Sequence, residues 1–126
     1  MPHHQSDLVE IRYTKKKGRG VFARQDIKKG TVIERVPVIV VTWDQIEDSE
    51  LGHYAFCWSG NKAAIALGYG SLYNHSFKPN AVYQDEGRQT KVYSAHRNIV
   101  AGEEITINYN GDPKDKTNVL DFEILE

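Results

Sequence analysis

The stretch LGYGSLYNHSFKPNA (residues 67–81) is built unlike a regular helix or a plain strand. Glycines at Gly68 and Gly70 and the Pro79-Asn80 pair are turn signals, so the chain is expected to bend on both sides of the triplet Asn74–Ser76. That triplet offers amide, imidazole and hydroxyl groups directly after an apolar run. The stretch therefore predicts a tightly folded polar segment, and what this segment does depends on the rest of the chain.

Length and composition predict one globular domain. The chain has 126 residues, of which 40% are hydrophobic and 26% are charged, and its formal net charge is −1. This size suits a single domain with one core. A charge so near zero gives no reason to expect direct binding to nucleic acid.

Cysteine usage and hydropathy favour an intracellular protein, cytoplasmic or nuclear. Cys57 is the only cysteine, so no intrachain disulfide can form, and no Cys/His set has the spacing of a structural zinc site. Between Phe56 and Trp58, Cys57 is interpreted as a small core residue. No apolar run nears the ~20 residues of a membrane helix, and the N-terminus lacks a signal-peptide core.

The hydrophobic pattern predicts many short strands and little helix. Residues 8–14 alternate and residues 81–95 form a hairpin pattern around Gly87, while aromatic alternation predicts a further strand over residues 53–60. The long β-branched run at residues 31–41 is interrupted by Pro37, which predicts an edge strand or a split at a bend. A short helix capped by Thr42 follows it.

Acidic residues are concentrated in two segments. Residues 36–60 contain four acids (Asp44, Glu47, Asp48, Glu50) and no Lys or Arg, and the tail from Gly111 carries five acids and two lysines. Both segments could meet a basic peptide, although solvated loops explain each segment, taken alone, slightly better.

Three stretches in this order resemble the SET-domain family of protein lysine methyltransferases. They are GRGVFARQDIKKGTVI (residues 18–33), SLYNHSFKPNAVY (residues 71–83) and RNIVAGEEITINY (residues 97–109). Each stretch alone is a weak match, but the three together have the family's order and gaps. The resemblance extends over residues 7–110. The resemblance implies a mostly β, β-clip-like fold of several short sheets with little helix and a knot-like crossing near the C-terminus.

The resemblance also implies a division of the chain and a cofactor. Residues 1–6 would be a flexible tail, residues 7–110 the SET domain, and residues 111–126 a possible lid. S-adenosyl-L-methionine would bind on one face, and the lysine of a basic protein or peptide, such as a histone tail, would enter by a channel from the opposite face. The residues implied in cofactor binding are Gly18, Arg19, Gly20, Tyr73, Asn74 and His75. The glycines would allow close backbone approach, and the buried ring of His75 would donate to a carbonyl across the crossing.

Tyr109 is the catalytic residue that the resemblance implies. A free phenol has a pKa of about 10, so its hydroxyl would orient the lysine amine as a neutral group rather than abstract a proton. Tyr83 and Phe122 are the implied substrate-binding residues, with Tyr109 itself. No zinc-bearing segment flanks the domain, and Phe77 stands where the family commonly has cysteine. Some members of this minimal type dimerise, so a homodimer is possible; no membrane partner is expected.

Other functions were open from the sequence. A non-catalytic SET-like module would bind a peptide or protein partner without chemistry. A metal-dependent hydrolase would need clustered ligands, which His53, His75 and His96 do not offer by spacing. A Ser-His nucleophile at Ser71 or Ser76 lacks an elbow motif and an orienting acid.

Overall fold

The computed structural model describes residues 5–114 and shows a mostly β protein. Its elements are β1 (Val9–Thr14), β2 (Gly18–Ala23), β3 (Val32–Thr42), α1 (Trp43–Ile46), a 3₁₀ helix (Glu50–Tyr54), β4 (Phe56–Cys57), β5 (Lys62–Ala66), β6 (Asn74–His75), β7 (Ala81–Glu86), β8 (Thr90–Ala95) and β9 (Glu104–Ile107). The predicted fold class is confirmed. The implied lid, with Phe122, lies outside the described residues.

The strands form two sheets. One has the order β1-β2-β9-β6 and the other the order β4-β5-β3-β8-β7. All pairings in them are antiparallel except that of β6 with β9, where Asn74 pairs with Thr106 and His75 with Ile107. This parallel contact brings the second and third family stretches side by side, and we call it the crossing.

The five-stranded sheet curls until its two edge strands meet. β4 and β7 lie at opposite ends of the strand order, yet the ring centroids of Phe56 and Tyr83 are only 5.1 Å apart. Sheets twist with a fixed hand, and a long central strand such as β3 allows the twist to accumulate. The concave side therefore holds core residues contributed by both edges.

Pro37 neither ends β3 nor places it at an edge. Residues Val32–Pro37 pair with β8, while Val38–Thr42 pair with β5 on the other side. Pro37 lies where the strand changes partner, so its missing N–H removes no ladder bond from a two-sided segment. The prediction of an edge strand was wrong, although the proline does mark the point of change.

The turns that begin at Arg24 (RQDIKKGTVI) and Arg97 (RNIVAGEEIT) have similar sequences and pack against each other. Ile27 and Ile99 form an isolated bridge with reciprocal backbone hydrogen bonds of 2.8 Å. Gly30 and Gly102 both have φ of 87°, which only glycine adopts readily. The Ile27–Ile99 bridge thus holds the third family stretch against the first.

Thr42 caps α1 as predicted, whereas the segment around β4 differs from the prediction. The amide and hydroxyl of Thr42 both donate to the side chain of Gln45, three residues on, which completes a capping box. The segment before Phe56 is 3₁₀ helix rather than strand. Cys57 is exposed, because the alternation that buries Phe56 points its neighbour outward. The interpretation of Cys57 as a core residue was wrong.

Candidate functional site

A cavity of about 510 Å³ lies between the tip of the β1–β2 hairpin and the crossing. Its lining comes from four parts of the chain: Tyr13, Lys17, Gly18 and Arg19 of the hairpin, His53 and Tyr54 of the 3₁₀ helix, Ser71, Leu72 and Asn74 before the crossing, and Tyr109 after it. Four of the residues that the sequence assigned to the site therefore meet here.

The hairpin brings glycine backbone to the cavity wall. Gly18 opens β2 with φ of 72°, and a Cβ added there would meet nothing within 4 Å. Gly20 is buried, and a Cβ there would lie 2.5 Å from the Glu104 carboxylate and 3.0 Å from Asn74 Nδ2. Gly18 thus leaves open space at the cavity, while Gly20 makes room for side chains of the protein itself.

The Asn74 amide is held in one orientation. Its Nδ2 donates to the Arg19 carbonyl at 2.9 Å and to Glu104 Oε2 at 2.8 Å. Both partners can only accept, so the amide cannot flip, and Oδ1 is the atom that can accept a hydrogen bond from a ligand in the cavity. The other carboxylate oxygen of Glu104 pairs with Lys17 Nζ at 3.1 Å, which fastens the hairpin to β9.

Tyr73 turns its side chain away from the cavity. The ring is 1% exposed, stacks on Tyr93 at 4.6 Å between centroids, and donates its hydroxyl to Glu34 at 2.7 Å. Its backbone carbonyl instead accepts the hydroxyl of Tyr109. Tyr73 therefore contributes to the site through its main chain.

His75 is buried beneath Tyr109. Its Nδ1 accepts the amide N–H of Tyr109 at 2.9 Å, and its ring packs edge-on against Phe77 and Tyr109. The sequence predicted an imidazole that donates to a carbonyl across the crossing. The ring does bridge the crossing, but its Nδ1 is an acceptor there, which favours the tautomer with the proton on Nε2.

Tyr109 lies between the cavity and a group of aromatic side chains. Its ring contacts Phe56 at 6.3 Å between centroids, and its carbonyl accepts the hydroxyl of Tyr83 at 3.1 Å. Burial raises the pKa of Tyr109 well above its ordinary value, and Tyr83 and Glu104 add to the shift. We call Phe56, Trp58, Tyr83 and Tyr109 the aromatic cluster. The Tyr109 phenol is thus neutral, oriented, and shared between the cavity and this cluster.

Asn80 ties the Pro-Asn turn to the crossing. Its side chain is buried, accepts the Thr106 amide N–H at 2.9 Å and donates to the Glu104 carbonyl at 2.8 Å. The bend that the Pro79-Asn80 pair predicts is thus held against β9 by the side chain of Asn80.

Sequence reasoning missed several residues of the cavity. Tyr13 and Lys17 precede the first family stretch, and His53 lies in a segment that the sequence predicts as a strand and the structure shows as 3₁₀ helix. Within residues 5–114, no group of three or more His, Cys, Asp or Glu side chains is arranged to hold a metal ion. None of the helices in this part of the chain is long and apolar enough to cross a membrane.

Comparison with known proteins identifies the family of this chain. The SET domain family model matches residues 18–110. A histone-lysine N-methyltransferase of Schizosaccharomyces pombe, specific for H3 lysine-37, is 38% identical over 106 residues, which cover 80% of this chain and 72% of that protein. A histone-lysine N-methyltransferase of Cryptococcus neoformans, specific for H3 lysine-36, is 31% identical over 118 residues, which cover 82% of this chain and 14% of that much longer protein.

A solved structure gives the same result at the level of the fold. A Plasmodium falciparum protein assigned to the histone methyltransferases superposes with a TM-score of 0.70 at 32% identity, covering 82% of this chain and 98% of that one. The chain therefore belongs to the SET domain family of protein-lysine methyltransferases.

Proposed function

We propose that the protein transfers a methyl group from S-adenosylmethionine to a lysine side chain of a histone tail or a similar basic protein, with Tyr109 as the catalytic residue. The observation that supports this most directly is the position of Tyr109. It lines the cavity on one side and joins the aromatic cluster on the other. A cofactor and a lysine amine arriving from these two sides would meet at one hydroxyl.

The cavity has the donors and acceptors that this cofactor needs. Asn74 Oδ1 would accept from the ammonium group of its amino-acid end, and Arg19 offers a cation for the carboxylate. The backbone of Gly18 leaves room for a close approach. Gly20, Tyr73 and His75 would act indirectly. They shape the strand and the crossing that position the groups facing the cofactor. When bound, S-adenosylmethionine supplies a methyl group carried on a positively charged sulfur.

The aromatic cluster suits the flexible stem of a lysine. Tyr83 and Phe56 supply two neighbouring aromatic rings, and such rings pack against methylene groups and tolerate a cation. Tyr83 is proposed as a wall of this channel. The Phe122 lid remains a proposal, since that residue lies beyond residue 114.

Tyr109 would act by orientation and electrostatics. Its hydroxyl donates to the Tyr73 carbonyl, so the phenol oxygen keeps lone pairs for the reacting groups. Its raised pKa rules it out as a base near neutral pH. The attacking amine must then lose its proton to water before the transfer, which a dry aromatic channel favours.

The surface near the 3₁₀ helix suits a basic substrate. Asp44 on α1, Glu50 on the 3₁₀ helix, and Glu47 and Asp48 in the turn between them are all exposed. They lie a short distance along the chain from the cavity residues His53 and Tyr54. Charge complementarity of this kind steers association with a Lys-rich tail. We infer a chromatin substrate and a nuclear site of action from this surface together with the family.

The test is methyl transfer to histone H3 from labelled S-adenosylmethionine, with wild type compared with Tyr109→Phe. We expect the variant to bind the cofactor by calorimetry nearly as tightly as wild type and to lose at least about 100-fold in rate, as expected when an oriented polar group is removed. Cofactor binding without transfer to any lysine peptide would favour a peptide-binding module instead. Full activity of Tyr109→Phe would remove Tyr109 from its role.

A further inference from the structure

A buried lysine lies against the aromatic cluster and takes no part in the mechanism proposed above. Lys91 of β8 is 1% exposed. Its Nζ lies 4.4 Å from the ring centroids of Phe56 and Tyr83 and 5.4 Å from that of Trp58. Lysine is almost never fully buried without a partner, so this ammonium group calls for an explanation.

The counter-ion of Lys91 is Asp85, and the two side chains differ strongly in their exposure to solvent. Nζ donates to Asp85 Oδ1 at 2.6 Å, but the Asp85 side chain is 41% exposed whereas that of Lys91 is 1% exposed. Water screens the carboxylate far more than it screens the ammonium. Burial lowers the pKa of Lys91, and the Asp85 contact opposes that shift. The pair therefore presents its positive end to the interior and its negative end to solvent.

Only one layer of rings separates Lys91 from Tyr109. The Phe56 ring contacts both the Lys91 ammonium and Tyr109, and the Tyr83 hydroxyl donates to the Tyr109 carbonyl. Lys91, Tyr83 and Asp85 share one face of the β7–β8 pair, on the concave side of the curled sheet. Aromatic rings transmit the potential of a fixed charge with little of the screening that water would give.

We propose that the Lys91–Asp85 pair sets the electric potential in the lysine channel, so that Lys91 favours the neutral form of the entering amine and Asp85 limits this effect. This inference rests on the proposed function. A positive potential disfavours an ammonium ion next to it, so the entering amine releases its proton to water more readily. Lys91 would act through its charge without touching the substrate.

Other ionisable groups interact with Lys91 or with Tyr109. They are Tyr83 and Asp85 on β7, Cys57 on β4, Tyr93 on β8, Tyr54 on the 3₁₀ helix, Glu104 on β9, and His75 at the crossing. Glu34 on β3 interacts with Tyr93. Burial raises the pKa values of Tyr83 and Tyr93, which keeps both phenols neutral. Lys91 is thus the cation closest to the cluster among the groups that these interactions identify in residues 5–114.

The experiment is the pH dependence of single-turnover methyl transfer to a histone H3 peptide spanning lysine-37, for Lys91→Met and Asp85→Asn. In the bound complex the acid limb of this profile reports loss of the proton from the target amine. Removing the positive charge should move the limb to higher pH, and removing the negative charge should move it to lower pH. We expect each shift to be about 0.5 to 1 pH unit, which is a three- to tenfold change in rate at a fixed pH below the limb.

The neighbouring ion pair supplies matched controls. Arg35 of β3 pairs with Glu86 of β7 across β8, on the other face of the sheet from Lys91 and Asp85. Arg35→Met and Glu86→Gln make the same charge changes and should leave the acid limb in place. Equal shifts in these controls would assign the effect to overall charge and overturn the proposal.

Opposite shifts distinguish an electrostatic role from a structural one. Mere damage to the core would slow both variants without moving their limbs in opposite directions, and that result would overturn the proposal. Circular dichroism checks the folding of both variants. Asp85→Asn leaves the buried Lys91 side chain in place, so it tests the proposal even if Lys91→Met does not fold.

A binding measurement separates this inference from the proposed function. The H3 peptide is compared with the same peptide carrying norleucine in place of the target lysine, with S-adenosylhomocysteine present so that no transfer occurs. Lys91→Met should improve binding of the lysine peptide relative to the norleucine peptide by about three- to tenfold, and Asp85→Asn should worsen it. An unchanged ratio would overturn the inference, whereas failure of wild type to methylate any peptide would overturn only the proposed function.

Discussion

Gly20 and Glu104 are in such close contact that a Cβ on Gly20 would displace the Glu104 carboxylate. A Cβ on Gly20 would lie 2.5 Å from Glu104 Oε2, a separation that real Cβ atoms essentially never show. The same carboxylate oxygen accepts from Asn74, so the three residues form one packed unit at the crossing. Displacing Glu104 would therefore disturb the amide that faces the cavity.

We predict that Gly20→Ala and Gly18→Ala fail for different reasons. Gly20→Ala should weaken S-adenosylmethionine binding by about tenfold or more, because it shifts Glu104 and releases the Asn74 amide. Gly18→Ala meets open space but has φ of 72°, so it should cost about 1 to 2 kcal/mol of stability with a smaller loss of affinity. Calorimetry and thermal denaturation measure the two effects, and identical behaviour of the variants would contradict this account.

Glu104 should act as a positioning residue for Asn74. Glu104→Ala removes one of the two acceptors that fix the Asn74 amide, and we expect the dissociation constant of the cofactor to rise about tenfold. Glu104→Gln can still offer an oxygen to Asn74 Nδ2 and should restore most of the affinity. The peptide KM should change little in both variants.

The adjacent Glu103 provides the control for this experiment. Its carboxylate binds Arg97 at 2.8 Å and the Val100 amide at 3.1 Å, away from the Asn74 amide. Glu103→Ala should leave cofactor affinity within about twofold, since such a surface pair contributes little. Equal losses in the two alanine variants would indicate general disruption of the loop before β9.

The family stretches predicted four of the residues that line the cavity because they are local signals. Gly18, Asn74 and Tyr109 lie in segments whose composition shows a turn or a strand end without any knowledge of the rest of the fold. The curl of the five-stranded sheet could not be predicted in this way. It results from twist accumulated over strands that are distant in sequence, and it alone brings Phe56 to Tyr83.

The burial of Lys91 is another feature that the sequence alone could not predict. In TKVYSA a lysine next to a strand end is typical of a solvated position. Its inward direction depends on its pairing with Asp85 across the hairpin and on rings from the opposite edge of the sheet. Cys57 is the reverse case, because two bulky aromatic neighbours suggested burial while the pleat turns it outward.

The pH profile of methyl transfer should have no alkaline limb from Tyr109 below about pH 10. Burial raises the pKa of this phenol above its ordinary value, so the neutral form persists across the range in which the target lysine loses its proton. Single-turnover rates of wild type from about pH 7 to 10 test this. A falling limb near pH 9 with a parallel rise in tyrosinate absorbance, absent in Tyr109→Phe, would show that the phenol ionises in this range.

Glu34 should make the stability of the domain depend on pH. Its carboxylate is 4% exposed and accepts the hydroxyl of Tyr73 and the amide of Tyr69. Burial raises its pKa above the ordinary 4.5, and these two hydrogen bonds only partly oppose the shift. The folded protein therefore holds this proton more tightly than the unfolded chain does. The resulting stabilisation is complete below pH 4.5 and is lost as the pH rises through the folded-state pKa.

Comparison with Glu34→Gln isolates this contribution. The free energy of unfolding of wild type minus that of the variant should fall as the pH rises from about 4 to 7, by about 1.4 kcal/mol for each unit of raised pKa. Glu103→Gln is the control of opposite sign. Burial alone would raise the pKa of Glu103, but hydrogen bonds from Arg97 and the Val100 amide outweigh it and lower the pKa. Its contribution should therefore weaken as the pH falls below 4.5. Urea denaturation at several pH values measures both differences. A Glu34 difference that stays flat or rises with pH would show that this carboxylate is hydrated in solution.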